Sequence, residues 1–85
     1  MYEVYLRRSA QKALEQLAKG NRTAHDQIIS AIEGLRSDPR PPGCKALRAR
    51  DDYRIRVRDW RVLYFIDDAQ HVVTVTAVVA REEAY

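Results

Sequence analysis

Four arginines, Arg54, Arg56, Arg58 and Arg61, fall within eight positions of the segment YRIRVRDWRVLY, residues 53–64. A guanidinium group is planar, stays charged at any ordinary pH, and presents its N–H donors in a fork that fits a phosphate or carboxylate. Alternation with Tyr53, Ile55 and Val57 is the period of a half-buried strand, which puts Arg54 and Arg56 on one face. Like charges directly opposed across strands destabilise by up to ~1 kcal/mol per pair. A bound phosphate would convert that repulsion into charge-assisted hydrogen bonds. Phe65 and Trp60, close by in sequence, offer rings on which unpaired bases stack. The pattern fits binding of a phosphate backbone such as that of RNA; an acidic peptide lying on this face fits it equally, and a solvated, solubilising face is the third reading.

The elements that must hold this row can be read from the rest of the chain. YEVYL (2–6) alternates as a first strand. Ser9 is placed to cap a helix whose Ala10, Ala13, Leu14 and Leu17 repeat at helical spacing, and Lys19 and Gly20 suit its end. Thr23 is placed to cap a second helix with Ala24, Ile28, Ala31, Ile32 and Leu35 on one face, stopped by the three prolines of SDPRPPG (37–43). Strands are expected over 44–48, 53–57, 61–66 and 72–79. The order β-α-α-β-β-β-β gives an α+β fold, a helical hairpin packed on one face of a mostly antiparallel sheet, as one domain over 1–85.

With Asp59 and Trp60 at the hairpin tip, Arg58 faces Arg61, and the apolar face is Tyr53, Ile55, Val57, Val62, Tyr64 and Ile66. A turn at DDAQ (67–70) adds Val73, Val75 and Ala77 to it. The opposite face then carries Arg54, Arg56, Arg58 and Arg61 with Leu63, Phe65, Thr74 and Thr76. A slip of one residue would bury every arginine, so the faces are strongly specified.

Charge is concentrated where the row lies. Residues 40–61 hold eight Lys and Arg, among them Lys45 and Arg48, against three acids, although the whole chain is only +3. Such a concentration favours an anionic partner. No apolar run reaches the ~20 residues of a membrane helix, and the N-terminus lacks a signal-peptide core, so a cytoplasmic protein is expected. One cysteine, Cys44, excludes an internal disulfide; it reads as a small strand residue. His25 and His71 read as surface residues, without metal-ligand spacing. No cofactor or metal is expected, and no glycine-rich phosphate loop is present.

Taken together, YRIRVRDWRVLYFID, the following VVTVTAVVAREEAY and the KALR before them resemble the RelE/ParE superfamily of toxins from type II toxin–antitoxin pairs. The resemblance covers the whole chain, and its motifs are closest to the RelE-type messenger-RNA interferases. It implies a metal-independent endoribonuclease that cuts mRNA in the ribosomal A site through attack by the RNA 2′-OH. Arg54, Arg56, Arg61, Arg81 and Tyr85 match the catalytic set, with Arg61 and Arg81 stabilising charge on the phosphoryl oxygens. Arg48, Lys45, Arg58 and Phe65 are candidates for holding the RNA.

RelE itself has lysines where this chain has Arg54 and Arg56, and arginine cannot serve as a general base. Many members carry a histidine before the final motif, where this chain reads VAR (79–81). Tyr85 is left to orient or activate the 2′-OH. The implied partners are a RelB-like antitoxin with an acidic, amphipathic segment, in a hetero-oligomer, and mRNA on the ribosome. The alternatives are a ParE-type DNA gyrase inhibitor without nuclease activity and a decayed toxin that only binds antitoxin.

Overall fold

The computed structural model describes residues 1–47 and 51–81. Its elements are β1 (Glu3–Leu6), α1 (Arg8–Gly20), α2 (Arg22–Gly34), β2 (Lys45–Ala46), β3 (Asp52–Val57), β4 (Trp60–Asp67) and β5 (Val72–Ala80). The strands form one sheet in the order β1-β5-β4-β3-β2. All neighbours pair antiparallel except β1 and β5, which are parallel. This is the expected α+β architecture.

Both helices lay their apolar stripes on the inner face of the sheet. Ala10, Leu14 and Leu17 of α1 and Ala24, Ile28 and Ile32 of α2, with Leu35 just beyond, are buried against Ile55, Val62, Tyr64, Ile66, Val73, Val75 and Val78. Spacing of three and four along each helix produces the stripe, and alternation along each strand produces the facing surface.

The caps differ from expectation. Arg7 precedes α1 as its N-cap without a side-chain cap bond, while the Ser9 hydroxyl donates to the Thr76 carbonyl at 2.8 Å and ties the helix to β5. Asn21, not Thr23, joins the helices. Its N–H donates to the Leu17 carbonyl at 2.7 Å and its Oδ1 accepts from the Ala24 N–H at 3.2 Å, so one residue ends α1 and caps α2. The strand expected over 44–48 is only Lys45–Ala46 among the described residues, with Cys44 outside it.

The β3–β4 register is shifted by two from the expected pairing. Val57 pairs with Trp60 and Arg56 with Arg61, so the tip is Arg58–Asp59. A shift of two keeps every side chain on its face. Arg58 takes φ of 56°, a left-handed conformation costing roughly 1–2 kcal/mol for a residue with a Cβ. The compensation is Trp60, which starts β4 partly buried against the core instead of standing at an exposed tip.

A second departure lies in β5. Leu63 pairs with Ala77 but Tyr64 with Val75, leaving Thr76 as the extra residue of a bulge. Beyond it the alternation reverses: Val78 is buried, and Ala77 stands on the outer face instead of the expected core face. The bulge is held on both sides, since the Thr76 hydroxyl donates to the Leu63 carbonyl at 3.1 Å and its own carbonyl accepts from Ser9.

The proline-rich loop is clamped onto the sheet. The buried Tyr64 hydroxyl donates to the Pro39 carbonyl at 2.8 Å, and burial pushes its phenol well above the usual value. Arg40 makes two bonds to Asp68, at 2.9 and 3.3 Å, and its Nε donates to the Tyr53 hydroxyl at 3.0 Å. Tyr2 donates to the same carboxylate at 2.6 Å. The Arg40 bonds, and then the Tyr2 bond, hold Asp68 below the usual carboxylate range.

Candidate functional site

The outer face of the sheet is what the helices leave uncovered. Three cross-strand pairs define it between β3 and β4: Asp52 with Phe65, Arg54 with Leu63, and Arg56 with Arg61. Between β4 and β5 the partners are Phe65 with Thr74, Leu63 with Ala77, and Arg61 with Val79. Charge therefore gathers at the hairpin-tip end, and an apolar patch of Leu63 and Phe65 occupies the other.

The arginines do not form one exposed row. Arg54 and Arg61 are only 6% and 4% exposed, while Arg56 is exposed. A guanidinium cannot shed its charge when buried, and taking it from water costs several kcal/mol before any partner is counted. Both buried arginines are engaged in further interactions. Residues placed at that cost are not there for solubility, which removes the solvated-face reading for this pair. Arg54 also lies opposite Lys45 on β2, extending the run of opposed cations to a third strand.

Arg58 leaves the strand face. It sits in the turn, exposed, not opposite Arg61. Arg81 follows β5 directly and is exposed; its N–H donates to the Asp59 carbonyl at 2.8 Å, which fixes its backbone at the same hairpin end. Phe65 is partly buried on the outer face. Arg48 and Tyr85 lie outside the described residues.

Sequence reasoning missed two neighbours of this face. Asp52 falls just before the strand expected over 53–57 but is the first residue of β3, and extending the 54–56 alternation back by one step finds it. Arg7, from the junction of β1 and α1, lines a cavity of about 320 Å³ with Leu47, Asp52, Leu63, Tyr64, Phe65 and Thr76. Its arrival there is a consequence of the parallel β1–β5 pairing, which leaves no local signal. A larger cleft, about 810 Å³, lies between α2, the proline-rich loop and β3.

Elsewhere, His25 Nδ1 lies 2.9 Å from Asp26 Oδ1, and this contact holds the Asp26 carboxyl below its usual range. His71 lies beside the Tyr2 ring at 4.9 Å. Among the described residues no group of three His, Cys, Asp or Glu side chains is placed to hold a metal ion. No described helix is long and apolar enough to cross a membrane.

Residues 4–85 match the family model described as the ParE toxin of the type II toxin–antitoxin system, parDE. Among solved structures, the archaeal RelE–RelB complex from Pyrococcus horikoshii OT3 aligns with a TM-score of 0.84 at 23% identity, covering 96% of this chain and 97% of that one. The intact Escherichia coli RelBE toxin–antitoxin complex gives 0.81 at 24% identity over 94% and 96%. A YoeB/ParE toxin from Agrobacterium tumefaciens gives 0.81 at 13% identity over 92% and 96%. At these identities the likeness is one of fold. No curated protein matches the sequence.

Proposed function

Because the chain belongs to the RelE/ParE toxin superfamily of type II toxin–antitoxin systems, we propose that it is a toxin acting as a ribosome-dependent endoribonuclease on mRNA. The observation that carries this reading is the direct opposition of Arg56 and Arg61 beside the buried Arg54, with the backbone of Arg81 fixed at the same end of the sheet. Such a cluster gathers several guanidinium groups where a phosphodiester would accept charge-assisted hydrogen bonds from them.

In the proposed reaction the 2′ oxygen attacks the adjacent phosphorus, the bond to the 5′ oxygen breaks, and negative charge grows on the phosphoryl oxygens. Fixed guanidinium groups oppose that charge, and loss of one such donor typically costs about 10²–10³ in rate. Arg61 and Arg81 take this role, with Arg54 and Arg56 holding the backbone in line. Tyr85 orients the 2′-OH, whose proton passes to solvent or ribosome, and a proton from the same surroundings reaches the departing 5′ oxygen. Alignment of the codon on the ribosome supplies much of the remaining acceleration. Lys45, Arg58, Phe65 and Arg48 contact the RNA outside the scissile phosphate. A RelB-type antitoxin, as in the matched complexes, is the neutralising partner.

Primer extension on mRNA in a purified translation system, with the wild type and Arg81→Ala, tests this. Ribosome-dependent cuts that disappear in the variant support it; intact mRNA with a folded wild type rejects it. The second reading, inhibition of DNA gyrase, is favoured by the match to the ParE model specifically. It predicts loss of supercoiling by purified gyrase and no cuts.

A further inference from the structure

The 320 Å³ cavity lies on the same face as the arginine cluster, two residues along each strand from it, yet nothing in the phosphate chemistry uses it. Its floor is Leu63 and Phe65. Asp52 and Phe65 are cross-strand partners, so their side chains stand side by side on this face. Across the cavity Arg7 contributes the other charged wall among the described residues, its backbone held by an N–H bond to the Val75 carbonyl at 2.9 Å. An aromatic ring, a carboxylate and a guanidinium around a small cavity of mixed polar and apolar lining are the groups that recognise a base, not a phosphate.

We infer that this cavity is a base-selective subsite for guanine. A carboxylate accepts only, and guanine is the base whose Watson–Crick edge offers two adjacent donors, N1–H and the N2 amino group. Its O6 and N7 are acceptors suited to an arginine. Adenine and cytosine present a donor beside an acceptor, and uracil one donor between two acceptors, so each leaves a carboxylate oxygen facing an acceptor. Phe65 supplies a stacking face that is indifferent to base identity. Asp52 and Arg7 are specificity determinants, while the arginine cluster binds the adjoining phosphate. The inference rests on the nuclease reading for its biological use, but its binding step does not.

The test is titration of the full chain with the 3′-monophosphates of guanosine, adenosine, cytidine and uridine, followed by NMR or calorimetry. Guanosine monophosphate is expected to bind roughly 5–150-fold tighter than the others, the range for one good bidentate contact. Asp52→Asn should erase that preference while leaving binding of the other three within about two-fold, and Phe65→Leu should weaken all four alike. Equal binding of the four nucleotides, or a guanine preference that survives Asp52→Asn, overturns the subsite. So does antitoxin protection of Phe65 and Asp52 with no nucleotide binding. Messenger-RNA cutting that ignores guanine rejects the subsite and leaves the nuclease intact. Guanine-selective binding without cutting supports the subsite and removes the nuclease.

Discussion

Arg56 of β3 and Arg61 of β4 are directly opposed across the hairpin, one exposed and the other only 4% exposed. The two-residue turn at Arg58–Asp59 forces the pairing, since moving the tip by one residue would turn the apolar set of β4 outward. The repulsion is therefore built into the register that makes the core.

Removing the exposed member should separate stability from activity. Arg56→Ala is expected to raise the stability of the isolated protein by up to ~1 kcal/mol at low salt, with the gain shrinking as ionic strength screens the pair. Ribosome-dependent cutting should fall in the same variant. Urea midpoints at two salt concentrations check the first part; a loss of stability on removing Arg56 would mean that the pair is not repulsive in the folded protein.

Arg81 gives the cleaner test of chemistry. It is exposed and among the described residues contributes a backbone bond to Asp59, so Arg81→Ala should change stability by no more than ~0.5 kcal/mol. Cutting should drop about 10²–10³-fold, read by primer extension. Arg61→Ala does not offer the same separation, because its burial makes truncation a packing change as well. Arg61→Lys, which keeps the charge but not the fork, is the informative substitution there.

The faces of β3 and the first half of β4 were legible because strict alternation admits one solution: Ile55, Val62, Tyr64 and Ile66 inward, Arg54 and Arg56 outward. What the alternation could not carry was position along the strands. A shift of two preserves the faces, so placing the tip needed the gain from burying Trp60 against the strain at Arg58. Caps were misplaced for a related reason. Ser9, Thr23 and Asn21 are all competent local acceptors; the Ser9 hydroxyl is committed to the Thr76 carbonyl, and Asn21 is the residue placed both to close α1 on Leu17 and to accept from Ala24. Of the candidate site, the arginine cluster was visible as a cluster, but not the burial of Arg54 and Arg61. Asp52 was hidden because a polar residue at a strand's edge does not extend its apolar alternation, and Arg7 by its distance in sequence.

Acid should loosen the proline-rich loop. Asp68 has its carboxyl held below the ordinary value of 3.8 by Arg40 and Tyr2. Its contribution is therefore complete above that value and is lost as the pH falls through the lower, folded-state value. Asp68→Asn should be less stable than the wild type at pH 6, and the two should converge as the pH drops below the depressed folded-state value. Thermal midpoints measured from pH 2 to pH 6 check this, and a gap that stays constant with pH would assign the difference to something other than the charge.

The bulge at Thr76 makes the sharpest structural claim. Continuous alternation through β5 would place Val79 inward with Val73 and Val75, and Val78 outward; the bulge reverses the last two. Val78 is 4% exposed in the core, whereas Val79 lies partly exposed opposite Arg61. Val78→Ala, which removes two buried methyl groups and leaves a cavity, should cost about 2 kcal/mol. Val79→Ala should cost less than ~1 kcal/mol, since its side chain keeps much of its contact with solvent in the folded state. The comparison uses one chemical change at adjacent positions, so strand propensity cancels and only the facing differs. Urea denaturation of the two variants decides it: the reverse order of stabilities would restore unbroken alternation and return Ala77 to the helix-covered face.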